Sequence, residues 1–189
     1  MRLMTSTLLC LALSTACGTA HQAPAPTPTS ALEGIQTYTG LSHAHLGKGD
    51  YPQSYAQSPP VGGPHSPAWL KCAVYTVALP KENAVHSLEH GAVWITYQPE
   101  LPADQVALLG QYAALNREYV MVSPYTGQDS PVIVSTWGVQ LKVAAASDPR
   151  IRDFITTYAG GNQGGEKGVR CASTGVTLQQ ALDYDASQR

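Results

Sequence analysis

Short stretches rich in β-branched and aromatic residues alternate along this chain with runs of helical period. Residues 35–39, 72–79, 92–97, 119–123 and 132–143 carry the strand pattern, and Gly138 marks a bulge or turn that divides the last of them. Pro102 opens an amphipathic helix whose core stripe is Val106, Leu109, Tyr112, Ala113 and Leu115. A second helix is predicted over 151–158, capped by Asp148 with Pro149 at its first position and stopped by Gly160-Gly161. A third covers 177–185. Asn83 is a suitable N-cap for a short helix over 84–90, and Gly91 is placed to end it. Hairpin-like and helical connections are mixed, which predicts an α+β domain: a mostly antiparallel sheet packed by a few helices. Between the first strand and Cys72, residues 43–70 form a long Gly/Pro-rich loop, and loops of this length in compact domains are commonly functional.

The first residues do not fit this pattern. Arg2 precedes an apolar run over 8–13, and Ser14-Thr15-Ala16 are small residues before Cys17, so residues 1–16 read as a signal peptide. The apolar run is too short for a membrane-spanning helix. Small residues directly before a cysteine resemble a lipobox, which makes Cys17 the candidate lipidated N-terminus. The usual Leu three positions before the cysteine is replaced by Ser14, so simple cleavage after Ala16 or Ala20 stays open. Residues 17–32 alternate Pro with small polar residues and form an extended tether, to which His21 belongs. Residues 33–189 are then one globular domain of ordinary size. An exported, membrane-anchored location at the cell envelope, or release into the periplasm or medium, is the expectation.

Composition narrows the function. Charged residues make up only 13% of the chain and the net charge is −2, which speaks against electrostatic nucleic-acid binding. Of the four cysteines, Cys10 lies in the expected signal and Cys17 is the candidate lipid acceptor. Cys72 and Cys171 remain, and in an oxidising compartment their default is one disulfide, with Cys72 as nucleophile or metal ligand the competing role. The glycines of 164–168 do not sit between a strand and a helix, so they do not form a phosphate cradle.

The chemistry concentrates in His86-Ser87-Leu88-Glu89-His90-Gly91. On a helix the two imidazoles are four residues apart on one face, about 5–6 Å between Cβ atoms, within reach of one ion. His-x-x-Glu-His is also the pattern of inverted zinc metallopeptidases, with Glu89 as general base. Those enzymes carry it on a long helix, whereas Gly91 ends this one at once. Metal binding without peptidase chemistry needs two further donors. His65 lies in the same loop, braced by Pro64 and Pro67, and His43 and His45 form a His-x-His pair at the loop start. Met121 is a soft donor, though on an apolar strand a core residue is the simpler reading. Glu89 is expected behind the imidazoles, fixing a tautomer. Against all this stands a plain alternative in which the histidines are structural, neutral and hydrogen-bonded.

Tyr51, Pro59-Pro60-x-Gly62-Gly63-Pro64-His65, Trp69, the run Val85–Val93, Pro124 and Thr136-Trp137-Gly138 together resemble the bacterial family known as domain of unknown function 3105. The resemblance covers about 40–158, with Gly62 in place of the Ser more common in that loop. It implies His65, His86, Glu89 and His90 as the motif polar residues, with His45 placed less securely, and an exported or membrane-tethered setting. It supplies no reaction. The reading that follows is a lipid-anchored protein binding copper or zinc through His65, His86 and His90, with His45 as a further donor. Imidazole donors suit Cu(II) and Zn(II), and copper has the higher intrinsic affinity. A metal-dependent hydrolase with Glu89 as base, and a structural or interaction lipoprotein without metal, are the alternatives. Whether the protein is an enzyme is left open, leaning to no.

Overall fold

The longest β-branched runs form the centre of a five-stranded sheet in a computed structural model that describes residues 32–166 and 169–189. The expected signal peptide, Cys17 and all but the last residue of the tether lie outside the described residues. The strands are β1 Ile35–Thr37, β2 Val93–Tyr97, β3 Val120–Pro124, β4 Val132–Thr136 and β5 Val139–Val143. Their order is β1-β5-β4-β2-β3, antiparallel except for the parallel pair β2–β3. A parallel neighbour needs a crossover, and α2, Ala103–Leu115, supplies it. Gly138 at φ +68° turns β4 into β5, with Thr136 opposite Val139. The fold is α+β in a single domain, as the pattern predicted.

The period-two alternation divides the sheet into an apolar face and a mixed one. Val93, Ile95, Val120, Val122, Val132, Val134, Leu141 and Val143 share one core with Leu109, Tyr112 and Ala113 of α2 and with Ile151, Phe154 and Ile155 of α3, Arg150–Tyr158. Val106 is partly buried there, whereas Leu115 is 77% exposed and leaves the predicted stripe. The opposite face carries Trp94, Met121, Thr96, Ser123, Ser135 and Gln140, all buried. Its polar atoms are paired: Trp94 Nε1 donates to Ser123 Oγ at 3.0 Å, and Gln140 Nε2 donates to Pro59 O at 3.0 Å. The second bond ties the Gly/Pro-rich loop down onto the sheet. Over this face lie that loop, α1 (Lys81–Glu89), α4 (Cys171–Thr174) and α5 (Leu178–Gln188).

Several expectations change. Residues 72–79 are not a strand; only Val74 bridges to Val122 on the free side of β3, and Val74 and Val77 are half exposed. Val122 N donates to Ala73 O at 3.0 Å and Tyr75 N to Val122 O at 2.8 Å, Cys72 is joined by a disulfide to Cys171, and bends at 72 and 76–77 interrupt the extended run. Asn83 does not cap α1, which begins at Lys81 after Pro80. Its side chain instead donates to Ser66 Oγ at 3.0 Å and Ala68 O at 2.7 Å, holding the loop to the helix. Pro149, expected at the first helical position, is instead the N-cap of α3, and Asp148 just before it accepts from Arg150 N at 3.0 Å. Thr177 and Gln180 form a capping box at the start of α5. Among the described residues no helix is long and apolar enough to cross a membrane.

α1 is an unusual helix because every residue from Glu82 to Glu89 is buried. Gly91 follows its C-cap at φ +85°, and a Cβ there would stand 2.7 Å from Gly161 O. Gly91→Ala therefore faces both a left-handed backbone and a fixed carbonyl. It should destabilise the protein by about 2 kcal/mol or more in denaturant unfolding. An unchanged midpoint would contradict this packing.

Candidate metal centre

Three segments bring their histidines together under the mixed face of the sheet: residues 43–45, the stretch around His65, and α1. His45 and His65 are joined by a parallel bridge, with Leu46 N donating to His65 O at 2.8 Å and His65 N donating to Ala44 O at 3.0 Å. α1 supplies His86, Glu89 and His90, and it is pinned to residue 70 through Ser87 Oγ, which accepts from Leu70 N and donates to Leu70 O, each at 3.0 Å. The ring centroids of His45, His65 and His86 lie 4.7–5.0 Å apart, and those of His86 and His90 are 4.8 Å apart. Trp69 packs against His86 and His90, and Trp137 against His43 and His65. His65, His86, Glu89 and His90 are buried, while His43 and His45 are exposed.

Hydrogen bonds to carbonyls decide where the imidazole protons sit. A carbonyl only accepts, so His65 Nδ1, 2.8 Å from Gly63 O, and His86 Nδ1, 2.6 Å from Ser66 O, both carry a proton. His90 Nδ1 likewise faces only acceptors, Glu166 O at 3.3 Å and Glu166 Oε2 at 3.6 Å. The neutral rings therefore present Nε2 lone pairs. Those of His86 and His90 face each other across 3.0 Å with no proton to share. His65 Nε2 lies 2.9 Å from Glu89 Oε2 yet makes no hydrogen bond among the described residues. Leaving one buried acceptor unsatisfied costs about 1–3 kcal/mol. A cation removes the conflict at both places. Two imidazoles on one tetrahedral ion at about 2.0–2.1 Å have nitrogens about 3.4 Å apart, close to the spacing seen.

Protons are a poorer answer, because burial opposes charge. Desolvation and, after it, the neighbouring His65 push His86 down to about 3, and desolvation also lowers His65 despite the nearby carboxylate of Glu89. Two groups of side chains can each offer atoms within 4.8 Å of one another to a single ion: His45, His65, His86 and Glu89, and separately His86, His90 and Glu166. Glu89, expected behind the rings, stands beside them; its other oxygen meets His43 Nδ1. Met121 is fully buried and packs in the core.

Three participants were not singled out by the sequence. His43 was visible as half of a His-x-His pair but not as the partner of Glu89. Glu166 carries no local signal. Ser66 is the hub beneath His86: its Oγ accepts from Asn83 Nδ2 and Ala68 N and donates to Asp185 Oδ1 at 3.3 Å. Gly164 presses against the end of α1, where a Cβ would meet Glu89 O at 2.3 Å.

Fold and site together define an α+β protein with a buried histidine–glutamate cluster able to hold a metal ion. The family model described as "Protein of unknown function (DUF3105)" matches residues 48–173, and the chain belongs to that family. Comparison with curated proteins and with solved structures finds no match.

A base whose folded value is depressed takes up its proton on unfolding. The unfolded chain thus binds more protons below the ordinary imidazole value of about 6.5, and stability falls as pH drops from there toward about 3. For His86 this amounts to at most about 1.4 kcal/mol per pH unit. In chelator-treated protein, His86→Gln should reduce the dependence of unfolding free energy on pH by up to one proton between pH 6 and 4. An unaltered slope would contradict a buried, neutral His86.

Proposed function

We propose that this protein binds one transition-metal ion, copper or zinc, through the Nε2 atoms of His65 and His86, with His45 and Glu89 completing the set and His90 at its side. The observation that carries the reading is the pair of carbonyl bonds that turns the Nε2 lone pairs of two buried, neutral imidazoles toward each other's surroundings and toward a carboxylate. Three imidazoles and one carboxylate suit Zn(II) and Cu(II) alike, and copper leads on intrinsic affinity. Together with the expected signal peptide and lipidated Cys17, this gives metal handling at the cell envelope by a membrane-anchored domain. Glu89 favours a ligand role over that of a general base. Its two oxygens face His65 and His43 rather than open solvent, and a base must be free to take a proton from bound water. The hydrolase alternative is the weaker for it.

Elemental analysis of untagged protein should find about one copper or zinc per chain, reduced on His65→Gln and lost on His86→Gln, which takes a donor from both groups. Added metal should raise stability in the wild type, by about 2.7 kcal/mol at a hundredfold excess over Kd, and not in His86→Gln. Trp69 and Trp137 lie against the ligand rings, so Cu(II) should quench tryptophan fluorescence in step with loading. If the metal content is nil and the variants unfold like the wild type with and without metal, the histidines are structural.

A further inference from the structure

The two groups of candidate ligands share one residue, His86. Its Nδ1 is committed to Ser66 O at 2.6 Å, so a single lone pair, on Nε2, remains. A neutral imidazole in that state ligates one ion. The groups therefore cannot both be filled, although their ligand atoms lie side by side.

We infer that His86 is a pivot between two mutually exclusive ion positions, an outer one at His86, His90 and Glu166 and an inner one at His45, His65, His86 and Glu89, and that a divalent transition-metal ion is handed from the first to the second. This rests on the reading of the cluster as metal-binding and adds to it a route. The outer position has three donors, one of them the carboxylate of Glu166, whose side chain is 56% exposed. An exposed carboxylate draws a hydrated cation and exchanges its water easily. The inner position has four donors, and His65, His86 and Glu89 among them are buried. More donors in a drier site hold the ion more tightly, so the inner position is the resting one. The 3.0 Å between the Nε2 atoms of His86 and His90 is a ligand-to-ligand spacing, which lets the ion exchange His90 for His65 while His86 stays bound. Glu89 reaches the same result from the other side. At 2.9 Å its Oε2 faces the His65 lone pair, a contact that becomes favourable once a cation lies between them.

The test uses Cu(II) with the full exported chain, measuring stoichiometry by calorimetric titration and loading rate by stopped-flow tryptophan fluorescence. Wild type should take up one equivalent. Glu166→Gln should load about tenfold more slowly, because the outer carboxylate no longer focuses the cation. Its equilibrium affinity should stay within about threefold of wild type, since the inner ligands are intact. His65→Gln should still bind one equivalent, at the outer position, with affinity lower by about 100-fold or more. Circular dichroism of each variant checks that the fold is retained. Two equivalents in the wild type, wild-type loading by Glu166→Gln, or complete loss of binding in a folded His65→Gln would each overturn the hand-over while leaving metal binding by the cluster standing. No binding by wild type would overturn both readings.

Discussion

Two backbone carbonyls, Gly63 O and Ser66 O, govern the histidine cluster because each accepts the only Nδ1 proton of a buried ring. With the protons fixed there, His65 and His86 have no choice but to present Nε2 as bases. Burial then keeps the rings uncharged, and their lone pairs face a carboxylate and a third imidazole rather than donors. A site of structural histidines would settle its hydrogen bonds internally. This one leaves them open in a direction that a cation satisfies.

Holding those carbonyls in place is the task of most of the surrounding structure. Pro64 and Pro67 bracket the segment, Tyr55 Oη donates to Pro64 O at 2.7 Å, and the bridge to 44–46 fixes His65 from the other side. Ser66 is clamped by Asn83 of α1 and Asp185 of α5, so the C-terminal helix reaches the centre through one hydroxyl. Burial of Asp185, with Glu82 nearby, raises its carboxyl above the ordinary range. The mixed face of the sheet makes the arrangement possible. Gln140 and Ser135 offer polar anchors where a wholly apolar face would give a loop nothing to bond.

The five strands and α2 were readable from local composition and periodicity because each buries one side of a local element, and α1, α3 and α5 were expected near the places they occupy. Residues 72–79 misled for the opposite reason. Their composition is that of a strand, but bends at 72 and 76–77 interrupt the run and Cys72 is tied to Cys171, 99 residues away, and neither is encoded by side-chain alternation. Asn83 has the chemistry of a cap, yet tertiary partners 15 and 17 residues away claim its amide. The histidine pair of α1 was legible because i and i+4 share a face on any helix. Glu166 was not, since a residue 76 positions from His90 meets it only through the path of the glycine-rich segment 160–166.

The sequence by itself settled which residue types could act: imidazoles on one helical turn, another braced between prolines, a carboxylate beside them, and two cysteines left to pair. These follow from local spacing and composition. Only the tertiary structure decided which nitrogen of each ring is free, that Glu89 stands among the rings, and that His86 belongs to two groups at once. Tautomer and ligand geometry are fixed by carbonyls and carboxylates brought from distant parts of the chain, and no short-range pattern encodes where those will be.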